Sequence, residues 1–113
     1  MDKLKRNLMT QIWELYDLDS LEDAVFNNDS AEYLKDAYDL QERKNMYDSL
    51  KWAEKNPSFK FESIMENAPV IGKLKFTNEE VYEYLMLFKT FMEKEEYKLL
   101  LEDRELKKPE DYI

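Results

Sequence analysis

One glycine, Gly72, and three prolines, Pro57, Pro69 and Pro109, are all the backbone breakers that the 113 residues contain. Tight turns draw on both residue types, glycine to supply a positive φ and proline to preset a negative one. A sheet-rich chain of this length needs many such turns, so their scarcity predicts long helices with few connections. Apolar residues make up 43% of the chain and aromatics 14%, enough to build a core despite the charge. The size suits a single core. The expected fold is therefore all-α: a compact single-domain bundle of four to five helices over residues 1–113, with 105–113 as a frayed tail.

The spacing of Leu4, Leu8, Ile12, Leu15 and Tyr16 predicts a first helix over 3–17, with Met9 and Trp13 widening its apolar stripe. Trp13 and Trp52 are both expected in the core. Ser20-Leu21-Glu22-Asp23 has the form of a capping box and predicts a short helix over 21–27. After Asn27-Asn28, Asp29 or Ser30 is expected to cap a long third helix that runs to Lys55, where Asn56-Pro57 stops it. Its apolar stripe drifts from Tyr33, Ala37 and Leu40 to Met46, Leu50 and Ala53, which predicts a kink near Glu42 to Lys44.

Residues 58–76 fit two readings. Phe59-Lys60-Phe61-Glu62 and Lys73-Leu74-Lys75-Phe76 alternate with the strand period and could pair as a minor two-stranded ribbon. Phe61, Ile64 and Met65 also fit a helical spacing, and a short helix over 60–67 is slightly preferred because an isolated pair of strands is marginal. Thr77-Asn78-Glu79-Glu80 is the clearest start signal, with Thr77 as cap, Glu80 returning the bond and Phe76 placed to staple onto Val81. The run from Val81 to Met92 is apolar almost all round, which predicts the central core helix, prolonged by Leu99, Leu100 and Leu101.

The absent residue types narrow function. Histidine and cysteine are missing, which removes most nucleophile–base pairs, thiolate and imidazole metal sites, disulfides and the Glu-x-x-His ligands of di-iron bundles. Asp17-Leu18-Asp19 opens like a calcium loop, but the sixth position is Glu22 and the twelfth Asn28, so the pattern fails. A phosphate-binding loop cannot be built from one glycine. No enzyme, no cofactor and no metal is expected. The charged N-terminus lacks the apolar block of a signal peptide, and no apolar run reaches the ~20 residues of a membrane span, so a cytoplasmic location is expected.

What remains is charge. The net charge of −9 opposes direct contact with nucleic acid or an anionic membrane and makes a basic protein surface the natural partner. Between Glu14 and Glu42 ten acids face a single base, Lys35, so that this segment alone carries −9; residues 1–13 carry +2 and 43–113 carry −2. On one continuous helix, Asp29, Glu32, Asp36 and Asp39 would form a row up one face with carboxylates about 5–6 Å apart. Such like-charge rows cost about 0.2–0.5 kcal/mol per pair. They also repeat on the length scale of nucleic-acid phosphates. Asp29, Glu32, Asp36 and Asp39, with Glu22 and Asp23, are thus the candidate partner-binding residues.

These features lead to an expectation of a stoichiometric inhibitor of a basic nucleic-acid-binding protein, in the manner of a nuclease immunity protein or a phage-type anti-CRISPR or anti-restriction mimic. The alternative is a structural or adaptor subunit that mediates self-association or assembly. Competing with both is simple solvation, because acidic faces also keep proteins soluble.

Overall fold

The computed structural model describes residues 2–65 and 75–103. Within them the protein is a compact all-α bundle with four α-helices and no strand. The helices are α1 (Asp2–Trp13), α2 (Asn28–Ala37), α3 (Leu40–Lys55) and α4 (Asn78–Glu93), with 3-10 turns at Glu14–Asp17, Leu21–Asp23, Phe61–Met65 and Glu95–Tyr97. α1 and α4 both lie against α3, and α1 also meets α4 and the Phe61–Met65 turn. None of these principal pairings involves α2, which sits to the side.

α1 buries Leu8 and Ile12 completely, as the spacing predicts, and passes into the 3-10 turn Glu14–Asp17, which buries Leu15 on the same side. Trp13 departs from expectation. It is 41% exposed, because Gln11, Ile12 and Leu15 already occupy the inward positions around it. Trp52 is partly buried and meets Phe59 edge to face at 5.1 Å. From Phe59 the aromatic contacts continue through Phe61 to Tyr82, joining α3, the 3-10 turn and α4.

The long third helix is two helices. The chain is extended at Tyr38 and Asp39, and Asp39 begins α3 by accepting the Glu42 N–H at 2.7 Å while Glu42 accepts the Asp39 N–H at 3.3 Å. Asp39-x-x-Glu42 is a capping box, and satisfying the first N–H groups of a new helix offsets the break. The drift of the apolar stripe reflects this break, four to five residues earlier than the expected kink. α2 starts two to three residues earlier than expected too, capped by Asn27, whose Oδ1 accepts the Ser30 N–H at 3.0 Å. Ser20–Asp23 does close a capping interaction, Ser20 N–H to Asp23 at 3.2 Å, but only one 3-10 turn follows.

Residues 61–65 form a 3-10 turn, so Phe59–Glu62 is not a strand; the Phe61 N–H donates to Asn78 Oδ1 at 2.9 Å and pins the turn to the start of α4. The proposed partner strand at Lys73-Leu74 lies outside the described residues, as do the end of the expected helix at 66–67 and the tail at 105–113. Thr77 caps α4 as predicted, accepting the Glu80 N–H at 3.1 Å while Glu80 accepts the Thr77 N–H at 2.9 Å, and Phe76 and Val81 are both buried. α4 supplies Val81, Tyr84, Leu85, Phe88, Phe91 and Met92 to the core.

Leu99–Leu101 do not prolong α4. Lys98 takes a left-handed conformation, φ 54° and ψ 33°, which reverses the chain and drops Leu99 into the core while leaving Leu101 75% exposed. Arg43, fully buried, holds that reversal: its guanidinium donates to the carbonyls of Leu99 at 2.6 Å and Glu102 at 2.7 Å, and its Nε to the Tyr38 carbonyl at 3.0 Å. One side chain thus fixes both the α2–α3 break and the C-terminal turn.

Candidate functional site

The six acids singled out from sequence do not form one ridge. Asp29 and Glu32 stand on α2 as expected, Asp29 exposed and Glu32 half-buried with its carboxylate 3.5 Å from Lys35. Asp36 is buried, on the inward side of α2 with Lys35 and Leu34. Asp39 lies beyond the break, and its carboxylate caps α3. Glu22 and Asp23 are exposed on the separate 3-10 turn, Asp23 bound to the Ser20 N–H. The 3-4-3 spacing presumed a single helix; once the helix breaks, the shared face ends with it.

Lys35, the one base between Glu14 and Glu42, is turned inward. It is buried, and its ammonium lies 3.5 Å from Glu32 and 3.7 Å from Glu102. It ties α2 to the C-terminal turn rather than neutralising the outer surface.

The structure does bring a different group together. An open cleft of about 390 Å³ lies between the Glu14–Asp17 turn, the loop before α2, α2 itself and α4; it is lined by Glu14, Val25, Phe26, Asp29, Ser30, Tyr33, Leu34, Phe88 and Phe91. Phe26 makes its floor. This ring wedges into the aromatic side of α4, with centroids 5.8 Å from Tyr84, 5.6 Å from Phe88 and 5.3 Å from Phe91. Because Phe26 is anchored inward, its neighbour Val25 is left outward and 62% exposed, and Tyr33, one helical turn from Asp29, is 54% exposed. Ser30 Oγ donates to the Val25 carbonyl at 3.0 Å, which holds the loop against α2.

Among the described residues that line the cleft, the ionisable acids and bases are two carboxylates. Glu14 and Asp29 are its ionisable carboxylates, and the field of Glu14 extends inward. Burial first, and then Glu14, raises the Tyr84 hydroxyl far above its ordinary pKa. Tyr38 is raised too, by burial, then by Tyr33, Glu14 and Glu42. Two carboxylates on an aromatic-floored depression suit a cation that also carries apolar surface. Among the described residues no three acidic side chains come together to hold a metal ion, and no helix is long and apolar enough to cross a membrane.

The sequence carried a trace of this site. Val25-Phe26 is an apolar pair between two capping motifs, Ser20–Asp23 and Asn27–Ser30, and two helix starts so close together leave a connecting loop between them rather than a helix over 21–27. What the sequence could not show is that this loop meets α4. Comparison with protein-family profiles, with curated proteins and with solved structures finds no match to this chain.

Proposed function

We propose that the protein is a stoichiometric binding antagonist of a basic partner, one that itself handles nucleic acid, and that it acts in the cytoplasm by occupying the partner's cationic surface rather than by catalysis. One observation carries this reading: of the acids between Glu14 and Glu42, Glu14, Asp19, Glu22, Asp23, Asp29 and Glu42 are exposed, while Lys35 is buried. The segment thereby presents concentrated negative charge, the complement of a surface evolved for phosphates, and association through it would be fast and weakened by salt. Nuclease immunity proteins and anti-CRISPR or anti-restriction mimics act in this way as classes.

The adaptor reading draws support from a separate observation, the exposure of Trp13, Val25, Tyr33, Leu87 and Leu101. It calls for association that salt does not weaken. The discriminating experiment is capture of partners from host lysate with the full chain as bait at low and high salt, repeated with Asp19, Glu22 and Asp29 changed together to Lys. Substituting Glu32, Asp36 and Asp39 would confuse the result, since Asp36 is buried and Asp39 caps α3. A nucleic-acid enzyme captured at low salt and lost both at high salt and with the triple variant supports antagonism. A complex that ignores both changes replaces it with the adaptor reading.

A further inference from the structure

α1 docks at an angle to its own apolar stripe. At about 100° per residue, the stripe of Leu4, Leu8, Met9, Ile12 and Trp13 and the buried face of Leu8, Gln11 and Ile12 point in directions roughly one-sixth of a turn apart. The mismatch has two symptoms, almost opposite each other on the helix. Gln11 is 1% exposed, while Trp13, the largest apolar side chain of α1, is 41% exposed. Docking driven by apolar area alone would favour the reverse.

Gln11 is poorly held inside. Its Nε2 donates to Ser49 Oγ at 3.3 Å and to the Met46 carbonyl at 3.5 Å, both long for such bonds. Its Oε1 is buried with no hydrogen-bond partner among the described residues, and a buried oxygen without a bond opposes the fold by the hydration it has lost. Reversing the amide would set Oε1 against the Met46 carbonyl, oxygen to oxygen. The groups on α3 do not depend on Gln11, since Ser49 Oγ donates to the Met46 carbonyl at 2.6 Å and both keep that bond if the amide withdraws.

We propose that α1 is a two-position helix. Beside the roll seen in the structure it has a second, turned by roughly one-sixth of a turn about its own axis, with Met9 and Trp13 moved toward the core and Asn7 and Gln11 toward solvent. Leu8 and Ile12 lie between the two directions and stay covered in both, which keeps the rolls close in free energy. The present roll keeps Leu4 against the core and retains the Gln11–Ser49 contact; the second hydrates the amide and covers more of the indole. This device is independent of both functional readings. The roll decides whether Trp13 stands at the surface, and any molecule that grips that ring selects the roll seen here.

The test is ¹⁵N relaxation dispersion on the full chain, read at the α1 amides and at the Trp13 indole N–H. The expected result is microsecond-to-millisecond exchange at Leu8, Met9, Gln11, Ile12 and the Trp13 indole, with the second state populated at on the order of a few per cent. Gln11→Leu removes the orphaned oxygen and adds apolar surface on the side already buried, so it should flatten the dispersion. Trp13→Gln removes what the second roll gains and should flatten the α1 amides as well. Flat profiles along α1 in the wild type would overturn the proposal, and so would exchange that persists in Gln11→Leu. Exchange with one rate and one population in every helix, α2 included, would overturn it in favour of opening of the whole bundle.

Discussion

Tyr47 on α3 and Tyr33 on α2 show how differently two sides of this bundle treat the same residue types. The Tyr47 hydroxyl donates to Glu93 at 2.6 Å, Lys89 reaches the same carboxylate oxygen at 2.8 Å, and the ammonium groups of Lys51 and Lys89 lie 5.1 and 5.7 Å from the Tyr47 ring centroid. Lys89 also lies 3.6 Å from Glu54, so the acids along the α3–α4 seam are matched by lysines next to them. Tyr33, in contrast, stands exposed over a cleft whose charged groups are carboxylates, and the nearest base in sequence, Lys35, faces away into the bundle. The seam has the charge balance of a surface selected for stability. The α2 flank instead exposes apolar side chains, Val25 and Tyr33, beside exposed acids, so the two sides differ in how their aromatic rings are covered.

The largest blow to the seam should come from Leu85→Ala. Leu85 is fully buried on α4, and its truncation is expected to cost about 2–5 kcal/mol by urea denaturation. Tyr33→Ala on the flank should cost less than about 0.5 kcal/mol. Similar losses from the two would mean that α2 is as much a part of the stabilising core as α4.

Arg43→Met comes next. It leaves the carbonyls of Tyr38, Leu99 and Glu102 without this donor and should cost about 2–3 kcal/mol, with faster amide exchange confined to the α2–α3 break at Tyr38 and the C-terminal turn around Leu99. Exchange that rises uniformly would show that the guanidinium is no local tie. Asp39→Ala should then cost about 1 kcal/mol through the lost cap, whereas Asp29→Ala should leave stability nearly unchanged. Equal costs would return Asp39 to the surface role that sequence spacing assigns it.

The smallest effect is pH dependence of the seam. Hydrogen bonds from Lys89 and then Tyr47 hold the Glu93 carboxyl below its ordinary 4.5. A depressed carboxylate contributes stability above its unfolded value and loses it as pH falls through the folded value. The two partners shift upward: Lys89, chiefly by its bond to Glu93, and Tyr47, chiefly by the same carboxylate, so their share is present below about pH 10 and lost above it. Because the side chain of Glu93 is 41% exposed, solvent screens the interaction and the effect should stay under about 1 kcal/mol. The difference in midpoint between wild type and Glu93→Gln should therefore narrow between pH 7 and pH 3. A constant difference would mean that Glu93 acts by packing alone.

Helix type, the Thr77 start, the inward face of α1 and the large core contribution of Val81–Met92 were legible because each depends on residues within one or two helical turns; that α3, with α1 and α4 against it, holds the middle of the bundle was not. Capping and periodicity are local, and the chain states them directly. The break at Tyr38–Asp39 was also written locally, in Asp39-x-x-Glu42, but the apolar stripe on either side of it masks the boundary. The exposure of Trp13 was not legible, since a helix with a wide apolar stripe does not show which of its positions the neighbours will cover.

The sequence by itself determined that the chain is helical and that its negative charge is concentrated between Glu14 and Glu42, because composition and spacing are properties of the chain alone. Only the tertiary structure decided which of those charges remain outside and what they surround. Burial of Lys35 and Asp36, capture of the Leu99 and Glu102 carbonyls by Arg43, and the wedging of Phe26 against Tyr84, Phe88 and Phe91 all join residues more than 50 positions apart or turn neighbours to opposite sides. Each depends on where helices dock, and docking is settled by the sum of many weak contacts across the whole core rather than by any local pattern.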